Sequence, residues 1–136
     1  MSVNKPRILV VDDDEPVLRS CARALAEIPG AEIVQRKLGD QAARLLSSEA
    51  FDLLISDIRM PGVSGLDLIE VAHQRNPSLP VILITGYPTA EISKGCRALG
   101  AAACLMKPIP PEELLATVQR VLLNPKKDQP VRSSWE

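Results

Sequence analysis

The sequence holds little of what would mark a secreted, metal-stapled or membrane-spanning protein. Its three cysteines, Cys21, Cys96 and Cys104, are odd in number and form no CxxC pair, which argues against a disulfide framework or a zinc site. They read as the reduced thiols of a cytosolic protein. The amino terminus from Met1 to Pro6 has no apolar signal core, and no apolar run approaches the ~18 residues a membrane span requires. A cytoplasmic chain without a membrane segment is expected. Charge is nearly balanced, with 16 Lys and Arg against 17 Asp and Glu. That leaves no general attraction to nucleic acid or anionic lipid, and direct nucleic-acid binding is not expected. Histidine is down to one, His73, set between polar neighbours on a helical stretch, and it reads as a solvated surface residue.

What is present is an alternation. Apolar, strand-like runs near 7–11, 31–35, 52–56, 80–84 and 102–106 are followed by helical periodicity near 15–27, 39–48, 64–75, 89–99 and 111–123. Five strand-then-helix repeats predict a parallel sheet built from βαβ units. The last helix is typical: Leu114, Leu115, Val118, Val121 and Leu122 recur at three- and four-residue spacing, while Glu112, Glu113, Gln119 and Arg120 fall elsewhere. At 136 residues the chain makes one domain. Residues 1–123 are assigned to it, and 124–136 are expected to be a flexible tail or the start of a linker anchored at Trp135, because they offer few apolar groups to bury.

The chemistry lies where the strands stop. Ile8-Leu9-Val10-Val11 runs straight into Asp12-Asp13-Asp14-Glu15, and the third run ends at Asp57. The fourth ends at Thr85-Gly86 and the fifth at Lys107-Pro108. Open parallel sheets bind ligands at the carboxyl ends of their strands, so these groups are delivered to the ligand-binding edge. Carboxylates crowded there would repel one another without a cation, and a hard divalent ion bridging protein and phosphoryl oxygens suits them. Asp14 and Glu15, before Pro16, serve the helix start instead.

These residues together resemble the receiver domain of bacterial two-component response regulators, over residues 7 to 123. The acidic pair matches Asp12 and Asp13, and the phosphoacceptor matches Asp57 within the run from Asp57 to Gly65. The hydroxyl residue matches Thr85, and the lysine and proline match Lys107 and Pro108. The resemblance implies a flavodoxin-like (βα)5 doubly wound parallel sheet in strand order 2-1-3-4-5. It also implies Mg²⁺ held by Asp13, Asp57, the main-chain carbonyl of Arg59 and waters oriented by Asp12, with Pro108 cis. The implied function is a phosphorelay switch, not an enzyme acting on other molecules. Asp57 would take a phosphoryl group from a sensor histidine kinase or a histidine phosphotransfer protein, Mg²⁺ and Lys107 would neutralise the transferring oxygens, and Thr85 would move inward afterwards. The readout would be a protein contact or a second copy bound through the fourth helix, fifth strand and fifth helix, with Ile92, Lys94 and Arg97 on that face.

The chain departs from the family at Cys104, where receivers commonly carry a Phe or Tyr switch. Tyr87 is a candidate substitute, and the resemblance implies that Tyr87 and Arg59 occupy the two positions that in this family tune access of water to the acyl phosphate. Two rivals read the same residues differently. A haloacid-dehalogenase-like phosphatase would use Asp12 as nucleophile and Asp14 as acid, but no late acidic pair follows Lys107. A nucleotide or flavin module would need a phosphate-binding loop where four carboxylates stand. A degenerate receiver acting as a constitutive interaction module is the remaining alternative.

Overall fold

The computed structural model describes residues 5–123 and 132–135. Five βα units run β1 (Arg7–Val11), α1 (Glu15–Leu25), β2 (Glu32–Arg36), α2 (Gly39–Ser48), β3 (Leu53–Asp57), α3 (Gly65–Arg75), β4 (Val81–Thr85), α4 (Ala90–Ala98), β5 (Ala103–Met106) and α5 (Pro111–Leu123), and a short β6 (Arg132–Ser133) follows. All strand pairs are parallel, in the order β2-β1-β3-β4-β5-β6. The first five strands thus stand in the doubly wound order 2-1-3-4-5, with boundaries within about two residues of those predicted.

The strands read as unbroken apolar runs because both faces of the sheet are covered. Ile8, Val10, Leu53, Ile55, Ile82 and Ile84 face α1 and α5 in one buried cluster. Their alternates Leu9, Val11, Leu54, Val81 and Leu83 face the other way, with Leu68, Ile69 and Ala72 of α3. The period of two therefore survives in the packing, although it is invisible as polarity. Cys96 of α4 and Cys104 of β5 are both fully buried free thiols with their sulfurs 3.0 Å apart.

At the amino-terminal rim of the sheet Arg7 ties three elements together. Its guanidinium meets Glu49 at 2.6 Å and Glu32 at 3.3 Å, and lies over the Phe51 ring at 4.6 Å. Its backbone N–H donates to Asp52 at 2.8 Å.

One expectation is corrected. His73 is half-buried, not solvated, with Nε2 2.9 Å from the Leu79 carbonyl oxygen, because the turn after α3 folds back over it. Within the stretch expected to be a flexible tail or the start of a linker, residues 132–133 form β6: Ala103 pairs with Arg132 and Cys104 with Ser133. The exposed edge of β5 offered unpaired backbone groups, and a short strand satisfies them. Residues 124–131 and 136, expected to belong to the same tail or linker, lie outside the described residues.

Gly95 sits in the interior of α4, and a β-carbon built there meets no atom within 4 Å. Packing therefore does not require it, and Gly95→Ala should raise the free energy of unfolding by about 0.5–1 kcal/mol. Urea denaturation checks this, and a fall in midpoint would contradict it.

Candidate functional site

Pairing of β1 with β3, Val11 opposite Ser56, brings the residues after β1 beside the end of β3. The carboxylates of Asp12, Asp13 and Asp57 offer oxygens that all lie within 4.8 Å of one another. Asp12 and Asp57 are buried and Asp13 is exposed, so the cluster opens to solvent on one side. Lys107 reaches in from the end of β5, its Nζ 2.9 Å from Asp12 Oδ2 and 3.2 Å from Asp57 Oδ2. The Lys107–Pro108 bond is cis.

Local chemistry places each group. Asp12 Oδ1 accepts from the backbone N–H of Asp14 at 2.9 Å, which turns the chain out of β1. Asp14 is the N-cap residue of α1 but makes no side-chain cap; Glu15 pairs with Lys37 at 2.5 Å and Arg19 at 3.3 Å. Beyond Asp57, Gly62 takes φ +78° in the loop and Ser64 caps α3 reciprocally with Asp67. The first residue of α3, Gly65, lies so close beneath Asp57 that a β-carbon there would come 2.4 Å from the Asp57 carbonyl oxygen. Sequence reasoning noticed neither the Ser64–Asp67 cap, though its spacing is a capping-box signature, nor the steric need for Gly65.

Burial pushes Asp12 up to about 6, against the opposing pull of the Asp14 N–H and Lys107. Asp57 is also raised, chiefly by burial, with Lys107 and the Arg59 N–H opposing. Burial draws Lys107 down, but the bond to Asp12 and the attraction of both carboxylates outweigh it and hold the ammonium above its ordinary value. One ammonium thus serves two buried carboxylates. Asp12 Oδ2 is buried without a well-formed hydrogen bond among the described residues, its close neighbour being that ammonium. An oxygen-rich cluster with one under-coordinated buried oxygen could hold a hard divalent cation.

Thr85 ends β4, one residue beyond the partner of Asp57, with its hydroxyl accepting from the Tyr87 N–H at 2.9 Å. Tyr87 is exposed, and the Arg59 guanidinium lies 4.4 Å from its ring centre, so the two bridge the mouth of the site. Between α1 and α5 a groove of about 410 Å³ runs from Lys107 and Pro108 past Pro16, Val17 and Leu114. It is lined also by Cys21, whose thiol is pushed up to about 11 by burial and the Asp12 charge.

A doubly wound parallel sheet whose carboxyl edge gathers three aspartates, a threonine and a lysine defines a phosphoacceptor domain of signalling relays. The chain matches the response regulator receiver domain over residues 8–119, and it belongs to that family. It is 35% identical over 119 residues to the C4-dicarboxylate transport transcriptional regulatory protein DctD of Pseudomonas aeruginosa, covering 85% of this chain and 25% of that one. It is 35% identical over 126 residues to the DNA-binding transcriptional regulator NtrC of Salmonella typhimurium, covering 93% and 27%. The chain therefore spans about a quarter of the length of these curated relatives. Among solved structures, a CheY-like receiver domain protein from Methanospirillum hungatei superimposes with a TM-score of 0.81 at 33% identity, covering 92% of this chain and 99% of that one. Chemotaxis protein CheY4 of Vibrio cholerae gives 0.79 at 28%, covering 86% and 98%. The function is that of a two-component phosphoacceptor switch, in a family whose receiver domains interact with histidine kinases or phosphotransfer proteins. Among the described residues no helix is long and apolar enough to cross a membrane.

The raised carboxylate values carry a pH signature. A carboxyl group raised in the folded state contributes stability that is complete below its ordinary 3.8 and lost as pH rises through about 6. In EDTA, the melting temperature should fall as pH is taken from about 5 to about 7. Asp12→Asn should flatten that slope, as differential scanning calorimetry would show; an unchanged slope would remove Asp12 as its source.

Proposed function

We propose that Asp57 is the phosphoacceptor and that Lys107, Thr85 and the Asp12–Asp13 pair perform its chemistry. The observation that carries this reading is the bridging ammonium: Lys107 lies within 3.2 Å of Asp57 and within 2.9 Å of Asp12. A positive group stands where negative charge must accumulate when phosphoryl oxygens arrive. An Asp57 carboxylate oxygen attacks phosphorus, the bond from phosphorus to the donor's nitrogen or oxygen breaks, and an acyl phosphate remains on Asp57.

Asp13, Asp57 and the main-chain carbonyl of Arg59 would hold Mg²⁺, with Asp12 orienting its waters. When bound, the ion neutralises carboxylate and phosphoryl oxygens and so permits an anion to enter an anionic pocket. Lys107 leaves its bridge to Asp12 and Asp57 to pair with a phosphoryl oxygen. Thr85 turns its hydroxyl from the Tyr87 N–H to donate to another. The Arg59–Tyr87 pair covers the approach of water to phosphorus, which lengthens the life of the acyl phosphate. Pro16, Val17, Pro108 and Leu114 give an apolar groove beside Lys107 that suits a helix of a histidine kinase or phosphotransfer protein presenting its phosphohistidine. The domain is regulatory and cytoplasmic, its only catalysis being the gain and loss of its own phosphoryl group, and its output passes through α4, β5 and α5 to a partner or a second copy. Cys104, in place of the aromatic switch, favours a second reading, a phosphorylation-independent interaction module.

With Mg²⁺ and acetyl phosphate, intact mass should show a gain of one phosphoryl group that Asp57→Asn abolishes. An unlabelled wild type would favour the interaction module, and label surviving in Asp57→Asn would return Asp12 as nucleophile. Lys107→Ala should slow labelling by on the order of a hundredfold, the loss of one preorganised positive group at the transition state. A near-normal rate would show that the bridge has no part in the chemistry.

A further inference from the structure

Residues 132–135 lie across α4 and β5 and touch both. The Ser134 N–H donates to the Cys104 carbonyl oxygen at 2.9 Å, and the Met106 N–H donates to Ser134 Oγ at 2.9 Å. Ser133 is buried, its hydroxyl 2.6 Å from that of Ser93 in α4, which also accepts from Arg97 at 3.0 Å. Trp135, like Ile92 and Leu99, packs against the apolar cluster that includes Cys96 and Cys104, and its indole N–H donates to the Thr89 carbonyl oxygen at 3.2 Å. Thr89 is the N-cap of α4. Four residues thus fasten the first turn of α4 to the edge of β5.

We propose that this segment is a latch on the output face, gripping in the unphosphorylated state and released by phosphorylation. The inference rests on the reading of Asp57 as phosphoacceptor. Its route is short and made of groups already placed. The Thr85 hydroxyl holds the Tyr87 N–H, and turning it toward a phosphoryl group on Asp57 gives up that bond. The loop freed by this runs through Pro88 into Thr89, whose carbonyl is the anchor of Trp135. On the other side, the Met106 N–H that binds Ser134 is adjacent to Lys107, which must leave Asp12 to meet the phosphoryl group. Both attachments of the latch therefore sit next to groups that rearrange. A two-residue strand with one aromatic anchor belongs to the weakly held part of a fold, where modest shifts decide occupancy. The face it covers is the one through which a second copy or an output partner would bind, so latch and partner compete for the β5 edge.

Coupling of this kind is reciprocal: if phosphorylation weakens the latch, weakening the latch favours the phosphorylated form. Trp135 is the chain's one tryptophan, so its emission reports the latch directly. The full chain with Mg²⁺ and acetyl phosphate would be followed by intact mass and tryptophan emission together, and titrated separately with beryllofluoride as a phosphoryl mimic. The expected result is a red shift and stronger acrylamide quenching that track the mass gain, with Trp135→Ala and Ser133→Ala binding beryllofluoride about fivefold more tightly or better. Labelled protein with unchanged emission, and variants with wild-type affinity, would overturn the latch and leave the Asp57 switch standing. Absence of the mass gain would remove the switch and the latch together. A red shift confined to concentrations at which size-exclusion chromatography shows a dimer would assign displacement to the second copy and overturn release by phosphorylation itself.

Discussion

One ammonium shared between two buried carboxylates is the constraint around which this domain is arranged. Asp12 and Asp57 are held a few ångströms apart in a poorly hydrated place, where like charges cost far more than in water. Lys107 offsets part of that cost, and Asp13 adds to it. The site is therefore poised: it favours a cation or the loss of a negative charge, and any group that recruits Lys107 disturbs the whole set. Four of the strands contribute to this by position. β1 and β3 supply the charges because they are neighbours, β4 supplies the hydroxyl one step further out, and β5 supplies the lysine.

The need to bring backbone close to Asp57 explains details that carry no charge. Gly65 starts α3 directly against the Asp57 carbonyl, and a side chain there would lift the helix from the strand end. Gly95 stands in open space in α4 and answers no such demand. The two glycines look alike in sequence, and their different roles emerge only from distances.

Much of this was legible in the sequence for a physical reason. A parallel sheet covered on both faces writes its strands as solid apolar runs, and four of the five runs here are cut off by a residue of the candidate site, so strand ends and site residues announce one another. The charges at Asp12, Asp13, Asp57 and Lys107 belonged at one edge once the strand order was supplied. What remained hidden depends on contacts between distant segments with no local pattern. Nothing in Gln74 or Arg75 tells that His73 folds against the Leu79 carbonyl. Nothing in Ser133-Ser134-Trp135 tells that two serines and an indole meet α4 and β5, since their composition matches that of a solvated tail.

The two rims of the sheet put their charges to different use. At the carboxyl rim acidic groups outnumber the cation that holds them. At the amino rim the Arg7 guanidinium pairs with Glu32 and Glu49 and rests on Phe51, its backbone N–H holds Asp52, and none of these groups belongs to the aspartate cluster. Robustness and reactivity are thereby kept about one strand length apart, joined only by the buried apolar rods between them. A lineage or an engineer could retune the thermal tolerance of this domain at the Arg7 rim while leaving the signalling rim untouched, and changes in signalling could accumulate opposite without first dissolving the fold.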